Sequence, residues 1–185
     1  AEALAAHERA LQLEPDNAEF REVRDHPTVD RRQPFAKGNA ATSMVPAVPE
    51  LKIDHVRALT DDVGIFQHAQ YTIPNRSHGY CTDDNARALI FALQAHRLTD
   101  QRELVDMAKI YLSFLESAFN ADNGRFRNFM SYDRRWLGEI GSEDCHGRAL
   151  WSLGFAVADA STVGVRAAAL DLFNRALRAS ETFDS

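Results

Sequence analysis

Asp83-Asp-Asn-Ala-Arg-Ala-Leu-Ile-Phe-Ala-Leu-Gln-Ala-His96 is apolar nearly all round, with Ala86, Ala88, Leu89, Ile90, Phe91, Ala92, Leu93 and Ala95 spread over every side of a helix. A helix of that kind is buried on most sides. A short Leu98-Thr99-Asp100 connection leads to a second helix, from about Gln101 to Phe119. Its polar residues Arg102, Asp106, Lys109, Ser113 and Glu116 recur in steps of four and three, which keeps them on one face turned to water.

The same contrast then repeats. Gly147 to Ala160, with Leu150, Trp151, Leu153, Phe155 and Val157, is again apolar all round, and its mid-helix Trp151 reads as a core residue. Val163 to Ala179 is striped, with Arg166, Asp171, Asn174, Arg175 and Arg178 on its wet side. Buried helix, turn, exposed helix, twice over, is the pattern of stacked helical hairpins with an inner and an outer row. The expected class is all-α. Between the hairpins, Asp122-Asn123-Gly124 is a strong turn and Arg125 to Met130 alternates as a short strand that Asp133 to Glu139 could pair with, so a small β-hairpin or a loop insertion is expected there.

Upstream the character changes. Residues 1–14 form a helical pattern stopped by Pro15, and Ala3, His7, Ala10 and Pro15 fall at the spacing of the second helix of a tetratricopeptide repeat. Arg21 to Glu50, with Pro34, Gly38, Pro46 and Pro49, reads as a linker. The expected organisation is a repeat-like helix over 1–20, a linker over 21–50 and an incomplete helical domain over 51–185.

Composition narrows the function classes. The chain has 185 residues, is 45% hydrophobic and 26% charged, and carries a formal charge of −6. That is globular composition without the basic excess of a nucleic-acid surface. No apolar run approaches the roughly 20 residues of a membrane span. Two cysteines, Cys81 and Cys145, make no disulfide framework and fit a reducing, cytoplasmic compartment. They and the neighbouring His78 and His146 lack metal-ligand spacing, so neither a metal nor a cofactor is expected.

Both inner helices open with paired acids, Asp83-Asp84 and Glu143-Asp144. Their N-termini would converge at one end of the molecule, and two carboxyls facing each other across a sugar are what glycoside hydrolysis requires. Neighbouring acids also raise one another's pKa, which keeps one protonated as general acid. Plainer roles fit the same residues. Thr82 and Ser142 are natural N-caps, first-turn carboxylates favour the helix dipole, and Asp83 with Arg87 and Asp144 with Arg148 are i,i+4 pairs.

Asn75-Arg-Ser-His-Gly-Tyr-Cys-Thr-Asp-Asp-Asn-Ala-Arg-Ala-Leu89, Gly124-Arg-Phe-Arg-Asn-Phe-Met-Ser-Tyr-Asp-Arg-Arg-Trp136 and Gly141-Ser-Glu-Asp-Cys-His-Gly-Arg-Ala-Leu-Trp151 together resemble the six-hairpin, (α/α)6-toroid glycosidase-like domain found behind bacterial glycosyltransferases. The resemblance covers about residues 51–185. It implies a carbohydrate-active domain that takes an oligosaccharide, with a glycosyltransferase as associated partner. A full toroid has twelve helices and this stretch supplies about five, so the expected ring is partial. Under this reading Asp83, Asp84, Glu143 and Asp144 are the catalytic candidates. Arg87 and Arg148 orient them, and Tyr80, Asn85, Tyr132, Trp136 and His146 complete the candidate substrate-binding set. Two other readings stand beside it: a non-catalytic glycan-binding or transferase accessory module, and a helical-repeat interaction scaffold.

Overall fold

The computed structural model describes residues 50–183, a mostly helical unit. The repeat-like helix of 1–20 and all but the last residue of the linker lie outside the described residues. The five α-helices among them are α1 (Asp54–Leu59), α2 (Thr82–Thr99), α3 (Arg102–Ala118), α4 (Glu143–Asp159) and α5 (Val163–Leu177). No helix among the described residues is long and apolar enough to cross a membrane.

The two hairpins are present. α2 packs against α3 and α4, and α4 packs against α5. The predicted polar stripe of α3 is exposed throughout, whereas Leu104, Ala108, Tyr111, Leu115 and Ala118 are wholly buried against the core. On α2 the residues Ala86, Leu89 and Ala92 are likewise sealed from solvent. Ion pairs fix the direction of the inner helices. Arg148 near the start of α4 meets Asp83 at the start of α2 (3.1 Å), and Arg97 near the end of α2 meets Asp159 at the end of α4 (2.7 Å). The two inner helices therefore run parallel, side by side, with their N-termini at the same end.

Two expectations are corrected. Trp151 is 58% exposed, because α4 has a neighbour on its α2 side and on its α5 side but leaves the stripe between open. The segment 125–130 is not one strand paired with 133–139. It makes two short ladders with different partners: Arg125–Phe126 (β5) pairs with Phe119–Asn120 (β4), and Phe129–Met130 (β6) pairs with Tyr80–Cys81 (β3). Only a single bridge, Met130 to Trp136, joins it to the expected partner. The remaining strands, Ala69–Gln70 (β1) and Ile73–Pro74 (β2), form a two-residue hairpin ahead of α2.

Candidate functional site

One stretch of backbone positions both inner-helix N-termini. The carbonyl of Asn128 accepts from the Thr82 N–H (2.9 Å), and the Arg127 carbonyl accepts from the Thr82 hydroxyl (2.6 Å). On its other side, the Phe126 carbonyl accepts from the Gly141 N–H (2.8 Å), directly before α4. Glycine is needed at these approaches. A Cβ on Gly141 would lie 2.6 Å from the Phe126 carbonyl oxygen, and one on Gly79, at φ +63°, would lie 2.1 Å from that of Met130. Thr82 is thus spent on the strand, and Cys81 precedes α2 without a side-chain cap. Ser142 does cap α4, accepting from the Cys145 N–H at 3.1 Å.

The result is a cavity of about 300 Å³ between the two N-termini. Asp83, Asp84 and Arg87 line it from α2, Asp144 and Cys145 from α4, and Asn128 and Phe129 from the strand between. Gln67, His68, Cys81 and Ser142 complete the wall. The acids are threaded on two arginines. Arg87 reaches Asp83 (2.8 Å) and Asp84 (2.7 Å), while Arg148 reaches Asp144 (2.8 Å) and the shielded Oδ1 of Asp83 (3.1 Å). That last contact is a charge contact rather than a well-aligned hydrogen bond, and it leaves Oδ1 buried without a donor.

The carboxylates are not equivalent. Burial pushes Asp84 above the ordinary carboxylate range, a rise that Arg87 opposes and Asp83 reinforces. The side chain of Asp144 is 70% exposed. A buried carboxyl in which the protonated form is favoured, set beside an exposed one, is an arrangement suited to acid–base chemistry. Both thiols are kept protonated instead: burial raises Cys81, and raises Cys145 to about 12. They are poor nucleophiles at neutral pH.

Asp83, Asp84, Asp144 and Arg87 are therefore brought together, with Arg148 bridging behind them. The other candidates are elsewhere. Glu143 is exposed and outside the cavity wall. His146 is fully buried, bonded through Nε2 to the Ala176 carbonyl (3.1 Å) and held between Phe126 and Phe183. Tyr80 is buried and donates to Asp61 (2.7 Å), and Asn85 bonds Ile65 and Cys81 backbone. Those three hold the framework. Tyr132 is exposed beside Phe66 and Arg76, and half-buried Trp136 packs on Phe114 and Arg127; neither lines the cavity. Conversely, no local pattern marks Gln67 and His68, which sit in no periodic stretch, or Asn128, whose place in the site depends on a non-local pairing.

A larger groove, about 680 Å³, lies between α3 and α5, but its acids Glu116 and Asp171 are both tied to Arg175 on a helix surface. Among the described residues no three His, Cys, Asp or Glu side chains group as a metal site. No known family model matches the chain, and no curated protein matches it either.

Proposed function

We propose that this unit is a carbohydrate-active domain of the six-hairpin glycosidase-like kind, a partial toroid that takes an oligosaccharide at the shared end of its inner helices. The observation that carries the reading is the convergence of Asp83, Asp84 and Asp144 on one solvent-open cavity between two parallel helix N-termini. Asp84, raised by burial, is the general acid that protonates the departing glycosidic oxygen. Asp144, exposed and on the opposite helix, is the second carboxyl group, the one that activates water or attacks the sugar. Arg87 and Arg148 fix the positions of both acids.

A second reading has an observation of its own. Each cavity acid already has an arginine partner, which suits a polar cradle for sugar hydroxyls in a non-catalytic module, one that serves a glycosyltransferase. Reducing-end release from a panel of neutral oligosaccharides separates the two. Under hydrolysis, Asp84→Asn and Asp144→Asn each lower turnover by about 10²–10⁴-fold with the fold intact. Binding without turnover in the unaltered protein selects the accessory module, and neither binding nor turnover discards both.

A further inference from the structure

The acid cavity has a neighbour. A second cavity of about 320 Å³ adjoins it and shares Gln67, Asp84 and Arg87 with it. The rest of the second wall is apolar: Val56 and Leu59 from α1, Ile65 and Phe66 from the segment before β1, Ala88 and Phe91 from α2. One face of α2 serves both cavities, because Asp84, Arg87, Ala88 and Phe91 follow at the spacing that keeps helical side chains in line. The wall is firmly held. Phe66 is 4% exposed and stacks on Tyr80 with 5.0 Å between ring centroids. The backbone N–H groups of Ile65, Phe66 and Gln67 are spent on Asn85 Oδ1 (3.0 Å), the Leu59 carbonyl (2.8 Å) and the Gly79 carbonyl (3.0 Å).

We infer that this second cavity is a subsite for an apolar group joined to the sugar in the acid cavity, an inference that rests on the carbohydrate reading above. The ligand class narrows from an oligosaccharide in general to a glycoside with an alkyl or aryl aglycone. The placement of the acids gives the orientation. Asp144 lines only the acid cavity, so the sugar ring that reacts belongs there. Asp84 lines both, so the oxygen it protonates stands at the junction and the leaving group lies beyond it. On hydrolysis the bond from the anomeric carbon to the aglycone oxygen breaks, and that oxygen takes the Asp84 proton. Water supplies the hydroxyl left on the sugar and the proton that returns to the acids. A second sugar fits the apolar cavity poorly, since its hydroxyls would leave water and find few partners beyond Gln67, Asp84 and Arg87. An apolar group has no such bonds to lose and gains by leaving water. The size is suitable: an apolar cavity of about 150 Å³ holds benzene, so one of about 320 Å³ takes an aryl group or a short alkyl chain.

The test uses calorimetry on the full chain with glycosides of maltose, cellobiose and mannobiose. Each is offered as the methyl, butyl, hexyl, octyl and 4-nitrophenyl form, beside the free trisaccharide of the same sugar. One sugar series is expected to bind, its affinity rising about two- to fourfold per methylene and levelling once the cavity is full. The hexyl or the 4-nitrophenyl form binds at least about tenfold tighter than the methyl form, and the better of the two tells a lipid-like aglycone from an aromatic one. Val56→Trp fills the cavity and Leu59→Gln makes its wall polar; each brings that gain down to about twofold or less, with the circular dichroism of the parent retained. Methyl glycoside and trisaccharide that bind while no apolar form binds tighter overturn the subsite and leave the carbohydrate reading standing. So does a gain that both folded variants keep, or an affinity that climbs without levelling through octyl, which is non-specific partition. Failure of every sugar to bind the folded parent is instead the failure of the carbohydrate reading and removes the subsite with it. The alkyl series needs no variant, so it decides the matter even where a substitution prevents folding.

Discussion

His146 and Asp84 show how a buried polar group records its purpose. The Ala176 carbonyl can only accept, so His146 Nε2 carries the proton and Nδ1 is left as a buried lone pair with no donor. Burial holds the His146 pKa below its ordinary value, outweighing the Ala176 bond. The unfolded chain therefore takes up a proton more readily than the folded one, and the stability due to neutral His146 is present above about pH 6.5 and is lost as pH falls below it. Thermal denaturation should show Tm falling between about pH 7 and 5.5, and His146→Gln should flatten that slope. Asp84 behaves in the opposite sense. With its folded pKa raised, stability is lost as pH rises from the unfolded value toward the folded one, so burying this carboxyl weighs against the fold once the unfolded chain ionises it. Asp84→Asn should leave Tm equal or higher while turnover disappears. A lowered Tm with turnover kept would make Asp84 a structural ion-pair partner and nothing more.

At the scale of elements, the two inner helices start by different means. α4 uses a side-chain cap, and Ser142→Ala should cost about 1 kcal/mol in denaturant unfolding. α2 is tied by the strand before it, whose entry needs the positive φ and bare Cα of Gly79. Gly79→Ala should cost more than the Ser142 change, about 2 kcal/mol or above, because backbone rather than a flexible side chain stands in the way. This difference also marks what the sequence discloses. The inner and outer helices are legible because burial is periodic within one segment: Arg102, Asp106, Lys109, Ser113 and Glu116 announce a wet face locally. Ser142 is legible as a cap for the same reason. The use of Thr82, an equally good cap by type, is not legible, since its hydroxyl goes to Arg127 through a pairing between distant segments. Asn128 and Phe129 enter the cavity through that same pairing, and Trp151 is exposed because of which helices surround α4, a property no local pattern encodes.

At the scale of the whole described unit, the two hairpins share one core. Buried residues of α2 and α3, such as Leu89, Tyr111 and Phe114, belong to the same cluster as Leu153, Ala156 and Leu172 of α4 and α5. The strand segment 125–130 ties the second hairpin to the first at the cavity end. A hairpin separated from that core would expose both an inner apolar helix and the backbone groups of its strand, so the hairpins should not unfold one at a time. Leu153 is fully buried in α4, and Leu153→Ala should destabilise by about 2–5 kcal/mol through lost transfer energy and the cavity left behind. The informative feature is where that loss is felt. Trp136 lies between the hairpins and packs on Phe114 of the first, so its fluorescence reports the first hairpin while the mutation sits in the second. In Trp151→Phe, where Trp136 is the sole tryptophan, the urea midpoint by fluorescence should fall with Leu153→Ala by as much as the midpoint by far-ultraviolet circular dichroism. Coincident midpoints mean that the cavity acids are held by a single cooperative structure, so that any change reaching the core of either hairpin also misplaces Asp84 relative to Asp144. A fluorescence midpoint that stays fixed while the dichroism midpoint falls would mean that the hairpins are independent and the cavity between them is a hinge.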